Sequence, residues 1–169
     1  MAGATGPGER GQPGALALLI MAIAGLAIAS YLTAVHYTPL PLACSTTGVI
    51  DCAQVTSSTY SVVPGTTVPI TVPGMGWFVV SGALAVAARR RRMPAVTLRL
   101  THVLWATAGV LVALYLVFVE VVQLHRICLW CSAVHVLLLA SFLVALGRLQ
   151  ALPDELETPM EAKPGANAR

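Results

Sequence analysis

The residues best suited to chemistry are four cysteines that fall in two pairs. Cys128 and Cys131 stand three apart in Arg126-Ile-Cys-Leu-Trp-Cys131, where the last long apolar run opens. On a helix they share one face and can close a disulfide. A helix N-terminus carries partial positive charge, and His125 and Arg126 sit just before this one, so both favour a thiolate at Cys128. The other two, Cys44 and Cys52, lie in one long polar loop. A cysteine in an apolar helix is ordinarily a small hydrophobe. Two pairs, one at a helix mouth and one in a loop, point instead to thiol–disulfide exchange, in which a thiolate attacks a disulfide and a second cysteine resolves the mixed bond. Four thiolates also suggest zinc, but zinc pairs are spaced C-x₂₋₄-C, and seven residues separate Cys44 from Cys52. No metal is expected.

The elements that must position these pairs are membrane helices. The chain is 57% hydrophobic and 10% charged, with a mean hydropathy of +0.80, against about 25% charged residues in soluble domains. The composition predicts a polytopic, all-α membrane protein of one domain, a four-helix bundle. Apolar stretches predict helices over 14–35, 74–88, 100–122 and 127–146, within a membrane domain spanning 14–147. Residues 1–13 and the Pro-containing tail 148–169 read as disordered. The loop 36–73 is rich in Pro, Gly, Ser and Thr and is expected to fold over the bundle without long regular elements. A secretory signal peptide is the rival reading of the first run, with Ala27-Ile-Ala29 as cleavage site, but the apolar run continues beyond it.

Basic residues set the orientation. Arg10, Arg89, Arg90, Arg91, Arg92, Arg99, Arg148, Lys163 and Arg169 fall on one side of the predicted topology, and Arg126 alone on the other. The positive-inside rule places both termini in the cytoplasm and all four cysteines on the outer face of the cell membrane, where disulfides persist. The net charge of +3 is a topology signal and gives no reason to expect nucleic acid. A loop pair can reach a water-soluble partner and a helix-mouth pair a lipid-soluble one. An electron acceptor within the bilayer is then required, and a quinone in an apolar pocket with a few polar groups fits.

The set of motifs resembles the vitamin K epoxide reductase family in its bacterial form. The matching parts are Cys44-x₇-Cys52, the segment Cys52-Ala-Gln-Val-Thr-Ser-Ser58, a short second helix, and Arg-Ile-Cys128-Leu-Trp-Cys131 opening the fourth. The resemblance implies a four-helix bundle around a quinone, menaquinone or ubiquinone, capped by the extracytoplasmic loop. It implies that Cys131 lies nearest the quinone, that Cys128 exchanges with Cys44 and Cys52, and that Ser57 serves the capping loop and the quinone. His135 stands where the family carries a tyrosine, one helical turn below Cys131, and becomes a candidate quinone ligand. Many bacterial members are fused to a thioredoxin-like domain. The chain ends about twenty residues past the fourth helix, so a separate thioredoxin-fold partner, a DsbA-type thiol oxidase, is expected. The function so implied is reoxidation of that partner with reduction of a membrane quinone, in support of disulfide-bond formation. Two alternatives are reduction of a quinone or quinone epoxide for its own sake, and a non-catalytic scaffold with structural disulfides.

Overall fold

The computed structural model describes residues 11–38, 42–44, 47–90 and 94–151. Of the disorder expected at the ends, residues 1–10 and 152–169 lie outside the described residues, as do Arg91 and Arg92 of the arginine turn. The helices are α1 (Gly11–Tyr37), α2 (Cys52–Thr56), α3 (Thr71–Arg89), α4 (Ala95–Phe118) and α5 (Leu129–Gln150). A 3₁₀ turn covers Thr59–Ser61, and α4 continues into a π-helical turn over Val119–Gln123. Four of these helices are long and apolar enough to cross a membrane: α1, α3, α4 with its π turn, and α5. The chain is an all-α membrane bundle.

Three helices begin earlier than the apolar runs suggest, α4 at Ala95 directly after Pro94, and the other two share one physical reason. α1 starts at Gly11 and α3 at Thr71, so Pro13 and Pro73 both fall at the third helical position. Proline is tolerated in a first turn, where an N–H has no intrahelical acceptor. The prolines therefore sit inside the first turns they seemed to exclude. At 19 residues, α3 spans about 28 Å at ~1.5 Å per residue, close to the ~30 Å hydrocarbon core. At the other end of the chain α5 runs on to Gln150, so residues 148–150 are helical.

The long helices pack in a closed ring, α1 on α3, α3 on α4, α4 on α5 and α5 back on α1. Lipid removes the hydrophobic drive between helices, so the seams are made by small side chains that allow close approach. α1 buries Ala15, Leu18, Ala22, Ala29 and Leu32, with Gly25 completing a heptad seam. α4 repeats the pattern with His102, Ala106, Gly109, Ala113 and, at the far end, Glu120. α5 does so with Leu138, Ser141 and Ala145. This spacing is that of left-handed helix pairs. Gly25 and Gly109 admit the rings of Phe78 and Trp77, where a Cβ would lie 2.1 and 2.6 Å from ring carbons. The alternating directions of the four helices bring the end of α1, the start of α3, the end of α4 and the start of α5 to one end of the bundle. The loop and all four cysteines are at that end. Arg89, Arg90, Arg99 and Arg148 are at the opposite one.

Candidate active site

The loop forms a cap fastened to the mouth of α5. Asp51 N-caps α2, its Oδ1 accepting from Gln54 N at 2.9 Å, and α2 carries Cys52 and Val55 inward. Just before α2, the main chain pairs with the residue that precedes Cys128. Ile127 N donates to Val49 O at 2.9 Å, and Asp51 N donates to Ile127 O at 3.1 Å. The pairing is parallel, Ile50 opposite Ile127, so Cys52 and Cys128 emerge from it side by side. With Val55 they form one buried cluster, on which Cys44, Cys131, Leu124 and Trp130 pack. A second fastening lies beside Cys44. Trp130 Nε1 donates to Ala43 O and Ala43 N donates to the Tyr31 hydroxyl, both at 2.9 Å, and the Tyr31 and Trp130 rings lie 5.1 Å apart. A third is Arg126, whose Nε donates to Gln54 Oε1 at 2.9 Å.

Each pair has its two sulfurs close together. Cys44 and Cys52 are joined by a disulfide, with Cα atoms 6.1 Å apart. Cys128 and Cys131 are not bonded to each other, but their sulfurs lie 2.6 Å apart, close enough to pass between dithiol and disulfide with little movement. Cys128 lies just outside the helix as its N-cap, and its sulfur also accepts from Cys131 N at 3.2 Å. The Cys131 thiol hydrogen bond is the largest influence on Cys128 and holds it below the usual thiol range. Burial opposes this, main-chain N–H groups at the helix start assist, and the carboxylate of Glu120 opposes. The helix start thus acts as the sequence suggests. Arg126 does not point at the sulfur, since its guanidinium is bonded to Gln54 and to His125 O.

Beneath the cap a small cavity opens between the helices. Cys131 and His135 line it from α5, Leu32 and His36 from α1, and Leu116, Val119 and Glu120 from the end of α4. Val55, Thr56, Ser58, Tyr60 and Ile70 close it from the loop. Its exposed walls are mostly apolar, and His36, Glu120 and His135 are among the polar side chains that line it with Cys131, the composition of a small-molecule site. Ser57 is exposed at the C-cap of α2, its hydroxyl donating to Gln54 O at 3.5 Å. The hydroxyl-bearing neighbours that line the cavity are Thr56 and Ser58.

Glu120 is the site residue that the motifs did not reveal. It is 5% exposed, and its Oε2 accepts from Cys128 N at 3.2 Å, while its carbonyl accepts from Arg126 N at 3.0 Å. The π turn, closed by Leu124 N donating to Val119 O at 2.9 Å, accompanies its placement, as such turns often do at functional sites. A signal was present. Glu120 lies seven residues after Ala113 and fourteen after Ala106, on the inward seam of α4, and an ionisable residue inside an apolar run marks a site by default.

A family model described as the vitamin K epoxide reductase family matches residues 16–146. The chain belongs to the vitamin K epoxide reductase family. The match covers most or all of each long helix, the cap and all four cysteines. A comparison with individually curated proteins gave no match. Membership in the vitamin K epoxide reductase family supports a multi-pass membrane oxidoreductase of the thiol–disulfide and quinone type.

Proposed function

We propose that the protein reoxidises an extracytoplasmic thioredoxin-fold partner of the DsbA type and passes the electrons to a membrane quinone. The observation that carries this reading is the meeting of two cysteine pairs, Cys44/Cys52 and Cys128/Cys131, in one cluster at one end of the bundle. In the exchange the Cys52 thiolate attacks Cys128 of the inner disulfide, forming a Cys52–Cys128 bond and freeing Cys131. The Cys44 thiolate then attacks Cys52, which closes the outer disulfide and leaves Cys128 as a thiolate. The shared cluster of Cys52 and Cys128 favours Cys52 as the inner partner of the loop. The half-buried Cys44 is then the residue that meets the outer protein.

The cavity fits a quinone headgroup in chemistry, with apolar walls and polar groups that can orient carbonyl oxygens. A quinone bound there accepts two electrons and two protons. His135, on the wall beside Cys131, is read as a hydrogen-bond partner for a quinone carbonyl. Ser57 is read as a rim residue of the same cap. The orientation is supported by charge: among the described residues Arg89, Arg90, Arg99 and Arg148 lie opposite the cysteines, as expected for a cysteine end that faces outward.

The test is quinone reduction by purified protein with a reduced thioredoxin-fold protein as donor. Turnover is expected to need all four cysteines. Turnover of Cys44→Ala equal to the parent protein would refute the relay. Turnover with a small dithiol but not with any protein donor would favour quinone reduction for its own sake.

A further inference from the structure

Glu120 occupies a position that the exchange of cysteines does not explain. It is a carboxyl group at 5% exposure, on the seam of a membrane helix, with one oxygen on the Cys128 amide at 3.2 Å and a place in the wall of the cavity that Cys131 and His135 line. If its only work were to satisfy the Cys128 N–H, an amide or hydroxyl would serve without a buried charge. Two acids therefore meet in a dry site, the Glu120 carboxyl and the Cys128 thiol. Two negative charges on neighbouring buried groups repel, so the pair favours a single one. No Lys or Arg among the described residues lines the cavity. The titratable groups that face it are Cys131 and His135 from α5, His36 from α1 and Tyr60 from the loop.

We propose that Glu120 is the proton carrier of the site: in the reduced state it holds the proton that Cys128 has given up, and it delivers that proton to the quinone as Cys128 and Cys131 become a disulfide. The proposal rests on the quinone reading above. The balance is complete with one net negative charge throughout. The reduced site holds a Cys128 thiolate, a Cys131 thiol and a Glu120 carboxylic acid. Two electrons leave the sulfurs as their bond forms. One proton leaves Cys131 and one leaves Glu120, which together with the electrons convert the quinone to quinol. The site is left with a disulfide and a Glu120 carboxylate. When the loop dithiol reduces that disulfide, its two protons go to Cys131 and to Glu120, and the negative charge returns to Cys128. Glu120 in this way carries one proton inward for each electron pair, and no charge has to be created in the low-dielectric site.

The test uses the full-length protein and two substitutions. Glu120→Gln keeps an oxygen able to accept from Cys128 N but cannot titrate, and Glu120→Ala removes both functions. The first readout needs no quinone: the infrared difference spectrum between the dithiol-reduced and oxidised protein. Wild type is expected to show the carbonyl stretch of a protonated carboxyl on reduction, and Glu120→Gln to lack that band. The second is the single-turnover rate at which excess quinone oxidises the reduced protein. Glu120→Gln and Glu120→Ala are both expected to slow it, by about a hundredfold for loss of a general acid. A purely structural amide acceptor predicts instead that Glu120→Gln runs at the wild-type rate and only Glu120→Ala is slow. That pattern, or a carboxyl band that survives Glu120→Gln, overturns the proposal alone. A wild-type protein that no quinone oxidises overturns the parent reading and this proposal with it.

Discussion

The Cys131 thiol is the largest influence holding Cys128 below the usual thiol range, and its removal has a calculable consequence. The comparison is between Cys131→Ala and Cys131→Ser, each in a Cys44→Ala, Cys52→Ala background, so that Cys128 is the one remaining thiol. Serine can still donate to the Cys128 sulfur, whereas alanine cannot, and both keep the Cys131 main-chain N–H that lies 3.2 Å from it. A hydrogen bond to a charged acceptor contributes about 1.5–3 kcal/mol. At ~1.4 kcal/mol per factor of ten, its loss lowers the thiolate population about 10- to 100-fold at a pH where the thiol form dominates. The surviving thiolate is more basic and more nucleophilic, and a Brønsted slope of ~0.4–0.5 returns about half of that loss on a logarithmic scale. Alkylation of Cys128 by iodoacetamide should therefore run about 3- to 10-fold slower in the alanine protein, with the gap closing as pH rises. The rates are read by mass spectrometry of the modified peptide in detergent-solubilised protein. Equal rates, or a faster alanine variant, would mean that burial and the helix start set the reactivity, and the argument from the thiol donor would fail. Arg126→Ala in the serine background should change the rate little, since that guanidinium faces Gln54.

With the loop cysteines present, Cys131→Ala should leave Cys128 free to attack the outer disulfide with nothing to resolve the product. A Cys52–Cys128 disulfide with a free Cys44 should accumulate, and peptide mapping that finds Cys44–Cys128 instead would reverse the assignment of the loop cysteines. Asp51→Ala removes the cap of α2, which costs about 1 kcal/mol at such positions. Limited proteolysis between residues 47 and 61 should accelerate about fivefold, while Asp51→Asn should stay near the parent rate. Gly25→Ala drives a methyl group into the buried ring of Phe78, 2.1 Å from its nearest carbon, and should cost about 1–3 kcal/mol by thermal denaturation. Gly82→Ala, whose nearest neighbour lies at 3.7 Å, is the control and should be neutral or stabilising.

Much of the architecture was legible because lipid imposes a coarse code. A helix in hydrocarbon must be apolar over its whole length, so composition alone counts the spans. Four spans in alternation also fix which connections share an end. From that count follows the meeting of Cys44 and Cys52 with Cys128 and Cys131, although nearly eighty residues separate the two pairs. The helix starts were less legible. Pro13 and Pro73 signal a break in sequence, yet a first turn accepts them, and only the hydrogen bonds of the turn distinguish the two cases. The fastening of the cap was hidden for a related reason. Val49, Ile50 and Ile127 meet through main-chain N–H and C=O groups, which every residue carries and which leave no trace in side-chain identity.

Glu120 is the opposite case, a side chain whose identity was in plain view but whose position was not. In a soluble protein a lone glutamate near a helix end is most often solvated. In a membrane span the same residue must find an internal partner, because removing a charge from water has a cost that lipid does not offset. Its seven-residue relation to Ala106 and Ala113 turns it toward the seam, and the π turn that begins at Val119 leaves its carbonyl for Arg126 N and its carboxyl for Cys128 N. A residue of the π turn that follows α4 thus helps start α5. Any change at residue 120 consequently acts on the placement of Cys128 as well as on its charge. Only a substitution that keeps an acceptor oxygen while abolishing titration separates the two effects, and for that reason Glu120→Gln, rather than Glu120→Ala, decides whether the carboxyl is there for its shape or for its proton.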